Sequence, residues 1–285
     1  MGDRPRTIAF TTLALVAFAA NSVLCRLALQ QNAVDAATFS SLRFASGAAM
    51  LVAITGGGRS LRPSAGSWTS AIILALYAIP FALAYVRLST GTGALIMFGT
   101  VQVTMLIGAR RIGEHIGGVQ AFGIGLAVIG LLYLVWPGLS APSPIGAALM
   151  TTAGIGWGLY SLRGRGAGDP LLQTTSNFVR SVPLIFLASL ASIAQFHISP
   201  GGAALAVTSG ALATGLGYVA WFAALRGLTA VRASVLQLAV PILAAAGGVI
   251  LVSESIPVRL IVAAILVLGG VALAVLSGRS IRRPG

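Results

Sequence analysis

Residues 224–270 read ALRGLTAVRASVLQLAVPILAAAGGVILVSESIPVRLIVAAILVLGG. Two long apolar runs are joined here by a short polar corner that holds one acid, Glu254, and Pro241 breaks the first run. Earlier in the chain, residues 84–130 read AYVRLSTGTGALIMFGTVQVTMLIGARRIGEHIGGVQAFGIGLAVIG. At a gap-free offset of 140, Ala84, Leu88, Gly108, Glu114, Ile116, Leu126 and Gly130 fall on Ala224, Leu228, Gly248, Glu254, Ile256, Leu266 and Gly270. Apolar runs match one another easily. The acid carries the weight, because the chain has only five. The pattern reads as a duplication, with residues 1–139 as the first copy and 140–285 as the second.

The whole chain is built from such runs. Of 285 residues, 57% are hydrophobic and 8% charged, with a mean hydropathy of +0.96. Soluble domains carry roughly 25% charged residues, whereas a helix that crosses a bilayer needs about 20 mostly apolar ones. Ten spans are expected, at 7–29, 35–54, 66–87, 90–108, 117–136, 144–163, 170–194, 201–225, 229–252 and 256–277. In lipid the backbone must satisfy its own hydrogen bonds, so spans of this length are helices. Barrel strands would alternate, and these runs are apolar on successive residues. The expected class is an all-α membrane protein of ten transmembrane helices. Arg4, Arg6 and Thr7–Ala20 resemble a signal peptide, but the apolar run continues to Leu29 and belongs to the repeat, so the first span is expected to be retained.

All 18 basic residues are Arg, and the net charge is +13. In a soluble protein that excess would point to nucleic acid. In a membrane protein it marks the cytoplasmic loops, and no nucleic-acid partner is expected. Ten spans put both termini on one side. That side holds Arg4, Arg6, Arg59, Arg62, Arg110, Arg111, Arg163, Arg165, Arg226, Arg279, Arg282 and Arg283, against Arg87, Arg259 and Arg26 near the other. An N-in, C-in arrangement is expected. Five spans per copy is an odd number, so the second copy enters from the opposite side. Such inverted repeats serve alternating access, with a substrate site near the midplane. One cysteine, Cys25, excludes an intrachain disulfide, and His115 and His197 form no metal-ligand spacing. No cofactor or metal is expected.

The second copy resembles the drug/metabolite transporter superfamily of the EamA type through Ala224-Leu225, Pro241, Glu254 and Gly270. The first is similar through Leu42-Arg43-Phe44, Glu114 and Gly130. It departs at Val101, where the family pattern has Pro, and at Phe18, where Trp is common; Trp157-Gly158-Leu159-Tyr160 fits that place in the second copy. The resemblance implies an inner-membrane carrier, often an exporter of amino acids or other small solutes. It also implies that spans one to four and six to nine line the path while five and ten buttress it.

Charges inside the bilayer are costly and usually face a cavity. Arg43 and Arg180 are repeat equivalents at an offset of 137, each well inside a span. They either bind a carboxylate or phosphate of the solute or snorkel and bond neighbouring carbonyls. Arg26 and Arg163, again 137 apart, read as interfacial anchors. Glu114 and Glu254 read as partners for the positive N-terminus of the helix that follows each, or as proton-coupling groups. Asn21, Gln102 and Gln237 are amides that need a partner in hydrocarbon, either another helix or a wet cavity. Tyr77 and Phe81 on span three are matched by Tyr218 and Trp221 on span eight, with Phe81 and Trp221 coincident at 140. Together with Phe98, Trp157 and Tyr160 these rings are candidates to line a cavity for an organic solute. The expected substrate set is therefore Asn21, Arg43, Tyr77, Phe81, Phe98, Gln102, Trp157, Tyr160, Arg180, Tyr218, Trp221 and Gln237, with no catalytic residue. The expected partners are a small-molecule substrate and the lipid bilayer, for a monomer or homodimer. The rival reading is a membrane enzyme or lipid-handling protein, which would show a His–acid cluster at the interface.

Overall fold

The structure is a computed structural model that describes residues 4–56, 66–111, 117–138, 141–163, 169–225, 228 and 236–277. Ten helices run through the described residues. They are α1 (Arg4–Gln30), α2 (Ala36–Thr55), α3 (Trp68–Tyr85), α4 (Thr90–Arg111), α5 (Gly118–Val135), α6 (Pro144–Arg163), α7 (Pro170–Leu190), α8 (Pro200–Leu225), α9 (Ala239–Val252) and α10 (Val258–Ser277). Eight are long and apolar enough to cross a membrane. The two exceptions have separate reasons. The first half of α7 carries Gln173, Thr174, Thr175, Ser176 and Asn177, which lower its hydropathy. The helix α9 is 14 residues long as described, and residues 229–235 of the expected ninth span lie outside the described residues.

Local chemistry sets the helix starts, and it does so in repeat. Asp35 accepts from the N–H groups of Ala37 and Thr38 to cap α2, and Asp169 accepts from Leu171 and Leu172 to cap α7. Ser67 caps α3 through Ser70, and Ser199 caps α8 through Gly202. Asp35 also accepts from the His197 N–H at 3.2 Å, while Val34 pairs with Ile198 in a single antiparallel bridge. These contacts tie the α1–α2 corner to the α7–α8 corner. Burial works against the Asp35 charge, but hydrogen bonds from Thr38, His197 and Ala37 outweigh it and hold the carboxyl below its ordinary value.

Packing between the two halves follows one rule. α1 packs on α8 and α9, α6 on α3 and α4, α2 on α7 and α8, α3 on α7, α4 on α9 and α5 on α10. Exchanging each number with the one five away returns these same neighbours; α4 also packs on α10, and that contact has no comparable α9–α5 counterpart. A close crossing pairs α5 with α10. A Cβ on Gly123 would stand 2.5 Å from the Gly270 carbonyl oxygen, and one on Gly270 would stand 2.6 Å from that of Gly123. Both obstacles are backbone, so no rotamer change relieves them. Outward faces are strongly apolar: Ile250 is 76% exposed and Trp136 69%. Such surfaces suit lipid and not water.

This crossing supports a stability prediction. Gly123→Ala is expected to cost about 1–3 kcal/mol by forcing the two helices apart. Gly125 lies on the same helix with nothing within 4 Å of its would-be Cβ. Gly125→Ala is therefore expected to be neutral or stabilising by up to about 1 kcal/mol. Thermal unfolding of both variants in detergent checks the pair, and equal melting temperatures would contradict the close approach.

Candidate functional site

Between the halves lies a cavity of about 610 Å³, counting the part open to solvent. α1 to α4 contribute from the first half, and α6, α8 and Gln237, just ahead of α9, from the second. α5, α7 and α10 contribute no lining residue.

Arg43 forms the polar centre. It sits eight positions into α2, is 2% exposed, and projects between α3 and α8. Its Nη2 donates to the Tyr77 hydroxyl at 2.6 Å and its Nε to Thr214 Oγ1 at 3.5 Å. The guanidinium carbon lies 4.8 Å from the Phe81 ring centroid, 5.3 Å from Tyr77 and 5.4 Å from Phe44. Nη1 is buried and has no hydrogen-bond partner among the described residues. Cation–π contacts offset part of the cost of burying the charge, at about 0.5–2 kcal/mol each. They leave one strong donor unused.

A chain of rings continues from there. Tyr77 meets Phe81 at 5.4 Å and Trp157 at 5.2 Å between centroids, and Trp157 meets Tyr218 at 5.4 Å. Tyr218 meets Phe18 at 5.9 Å, which in turn meets Trp221 at 5.8 Å. The α3 face expected from helical spacing, and its counterpart on α8, thus face one another across the cavity. α8 makes its approach with wide π turns over Ser209–Leu216. Such bulges re-aim side chains and recur at functional sites. Here they place Thr214 on Arg43 and let Ser209 donate to Asn21 Oδ1 at 2.7 Å. Gly210 permits this, since a Cβ there would meet the Arg43 carbonyl oxygen at 2.1 Å.

Nine of the twelve expected residues line this cavity: Asn21, Arg43, Tyr77, Phe81, Phe98, Trp157, Tyr218, Trp221 and Gln237. Three do not. Gln102 is buried in α4, 3% exposed, and away from the lining. The Tyr160 hydroxyl turns to α7, where it meets Thr174 Oγ1 at 3.3 Å and Asn177 Nδ2 at 3.4 Å, so it fastens α6 to α7. Arg180 donates to Ser176 on its own helix, and its Nη1 lies beside Gly66 at the entry to α3. The sequence offset of 137 pairs the two arginines, but Arg43 is the eighth residue of α2 and Arg180 the eleventh of α7, and of the two only Arg43 lines the cavity.

Phe18, Ser22, Met97, Ser161, Ala213 and Thr214 also line the cavity and were not foreseen. A signal for most of them was present. Phe18 and Ser22 are four apart on α1 and flank Asn21, Ser161 is four from Trp157, and Thr214 is four from Tyr218. Each shares a face with a residue already chosen.

One helical turn beyond the lining residues Ser22 and Phe81 lies a polar knot. Arg26 Nε donates to Glu254 Oε1 at 2.9 Å, and Arg26 Nη1 donates to the Tyr85 carbonyl at 2.8 Å. Glu254 Oε2 accepts from the Thr90 N–H at 2.7 Å. Arg26 is therefore not a lone interfacial anchor. Glu254 does serve a helix N-terminus, as expected in kind, but it is that of α4 and not of α10, which follows it. Ser253, in the left-handed region at φ 57°, turns the chain so that Glu254 can reach both. Glu114, the repeat equivalent, lies outside the described residues. Cys25, next to Arg26, is free and fully buried.

Comparison with known proteins adds three findings. A model of the EamA-like transporter family matches residues 144–276. An uncharacterized protein of Pseudomonas aeruginosa is 48% identical over 274 residues, which cover 96% of this chain and 95% of that one. A crystal structure at 19% identity superposes with a TM-score of 0.64 over 96% of this chain and 99% of its own, a likeness of fold.

Proposed function

The chain belongs to the EamA-like transporter family and is a multi-pass membrane protein, and from that premise we propose that it carries small organic solutes across the inner membrane by alternating access. The observation that carries this reading is the cavity itself. It lies between the halves, has the Arg26–Glu254 knot one helical turn beyond it, and sets the Arg43 guanidinium, with Nη1 unpartnered, among aromatic rings. All ten helices are proposed to span the bilayer as two inverted five-helix repeats, residues 1–139 and 140–285. All the inter-half helix contacts but α4–α10 map onto one another under exchange of the halves, which supports that arrangement. The arginine bias puts both termini in the cytoplasm and the knot on the outer side. On that reading the knot closes the described state outward. The unequal placement of Arg43 and Arg180 is then the asymmetry an inverted repeat adopts in one of its two states.

The substrate set is proposed as the nine cavity residues, with Arg43 taking an anionic group. Gln102, Tyr160 and Arg180 are assigned to packing and helix fastening. Export of amino acids or related metabolites is the transport proposed, in keeping with the family. No observation among the described residues favours the enzyme or lipid-handling reading over this one.

Counterflow in proteoliposomes tests the proposal. Vesicles preloaded with unlabelled solute are offered a labelled panel of amino acids, organic acids and nucleobases. Saturable uptake stimulated by solute on the far side is expected for one class. Trp157→Ala, which removes the ring joining Tyr77 to Tyr218, is expected to lower that flux at least tenfold while the protein still folds. Flux that rises linearly with concentration and ignores the far side would mean a channel and would end the carrier reading.

A further inference from the structure

The charge of the solute can be read from the charge balance of the cavity, a step that rests on the carrier reading above. Among the described lining residues Arg43 alone is charged; no Asp, Glu or His is present. The acids Glu254 and Asp35 are already engaged. Glu254 holds Arg26 and the Thr90 N–H, and Asp35 caps α2 and binds the His197 N–H. Arginine carries a permanent positive charge, and this one is 2% exposed with Nη1 unpartnered. A buried cation without an anion is unfavourable by several kcal/mol, and a ligand that neutralises it recovers that energy as binding.

We infer that the cavity takes organic monoanions, a carboxylate seated on Arg43 Nη1 and an aromatic or apolar body lying among Tyr77, Trp157 and Tyr218. A zwitterion leaves the site with its net positive charge and brings an ammonium that meets no carboxylate. A cation doubles the buried charge. Within the class of amino acids and related metabolites, the inference selects the acids without a free ammonium. It also sets the driving force. Each turnover moves one negative charge, so an inside-negative potential drives the solute outward with no coupled ion. The described lining holds no carboxylate or imidazole through which a proton would have to pass.

A charge series on one body tests this. 3-Phenylpropionate, phenylalanine and phenethylamine share a ring and chain and carry net charges of −1, 0 and +1. Binding is read from the fluorescence of the purified full-length protein, since Trp157 and Trp221 line the cavity. The acid is expected to bind at least tenfold more tightly than phenylalanine, with the amine weakest. Equal or tighter binding of phenylalanine or the amine overturns the inference, and so does failure of the acid to bind folded protein. Counterflow separates this failure from that of the carrier reading. Saturable exchange of phenylalanine or the amine keeps the carrier and removes the charge rule, whereas an acid that binds but never exchanges keeps the charge rule and removes the carrier. In vesicles clamped about 60 mV inside-positive, the acid is expected to accumulate roughly tenfold. Accumulation that ignores the potential overturns the one-charge cycle.

Discussion

Arg43→Gln is expected to weaken binding of an anionic solute by about one hundredfold while leaving the folded protein as stable as the wild type, or more so. The two halves of this expectation have one cause. In the empty protein Arg43 is a buried charge that no acid neutralises, held by the Tyr77 hydroxyl, Thr214 and three rings. Replacing a buried charge by a neutral group of similar length removes a desolvation cost. The loss of one hydrogen bond to Tyr77 returns only about 1–2 kcal/mol of it. With the anion bound, the balance reverses. Truncating one member of a buried, hydrogen-bonded charge pair costs about 2–5 kcal/mol, which at 1.4 kcal/mol per decade is a loss of roughly thirty- to several-thousandfold in affinity. Arg43→Lys keeps the charge but gives up the planar fork and its stacking over Phe81, and is expected to lose about tenfold. Titration of each variant with 3-phenylpropionate, beside its melting temperature without ligand, measures both halves. A variant that unfolds tens of degrees lower would mean that Arg43 is a structural group. One that binds the acid as the wild type does would mean that the cavity recognises its ligand elsewhere.

Glu254→Gln is expected to open the cavity toward the Arg26–Glu254 knot. Glu254 holds the N-terminus of α4 and Arg26 of α1 at once, and Arg26 in turn binds the last carbonyls of α3. The ion pair is mostly shielded, with side chains 17% and 11% exposed. Breaking a fully buried pair costs about 3–5 kcal/mol; allowing for the remaining exposure, about 2 kcal/mol is expected here. A shift of that size changes a two-state population about thirtyfold. The native Cys25 reports it, because it is the only cysteine, is fully buried and neighbours Arg26. Labelling by a membrane-impermeant maleimide added outside is expected to be negligible in the wild type and to rise at least tenfold in Glu254→Gln and in Arg26→Gln. The double variant is expected to label no faster than either single one, since both remove the same link. Additive increases would show that the two residues act apart. An unchanged rate would show that the knot does not govern access from that side.

The aromatic faces were legible because a helix repeats its face every three to four residues. Tyr77 with Phe81, and Tyr218 with Trp221, needed only that spacing to be placed together, and the offset of 140 matched one pair to the other. Ser161 and Thr214 were missed although they obey the same spacing, because a small hydroxyl in a Gly-rich span reads equally well as helix packing. Tyr160 was misassigned for the complementary reason. A ring three residues from Trp157 lies on a nearby face, and the hydroxyl partners on α7 that turn it aside are not visible along α6.

By itself, the sequence determined the class of the protein and where its helices lie. Twenty apolar residues in a row constrain the backbone regardless of what surrounds them, since lipid offers it no other hydrogen bonds. The family is also carried in the sequence, by a handful of residues such as Pro241, Glu254 and Gly270 at set spacing. Only the tertiary structure decided which polar residue does what. Arg43 and Arg180 match at the sequence offset of 137, yet one reaches the cavity and the other, a turn further along its helix, binds Ser176. Glu254 finds Arg26 from 228 residues away and caps a helix that it does not precede. Rotation of a helix about its axis, and the end of its neighbour that it meets, depend on close approaches such as Gly123 on Gly270 and Gly210 on Arg43. Those contacts join distant parts of the chain, so hydropathy, which is summed along neighbours in sequence, carries no trace of them.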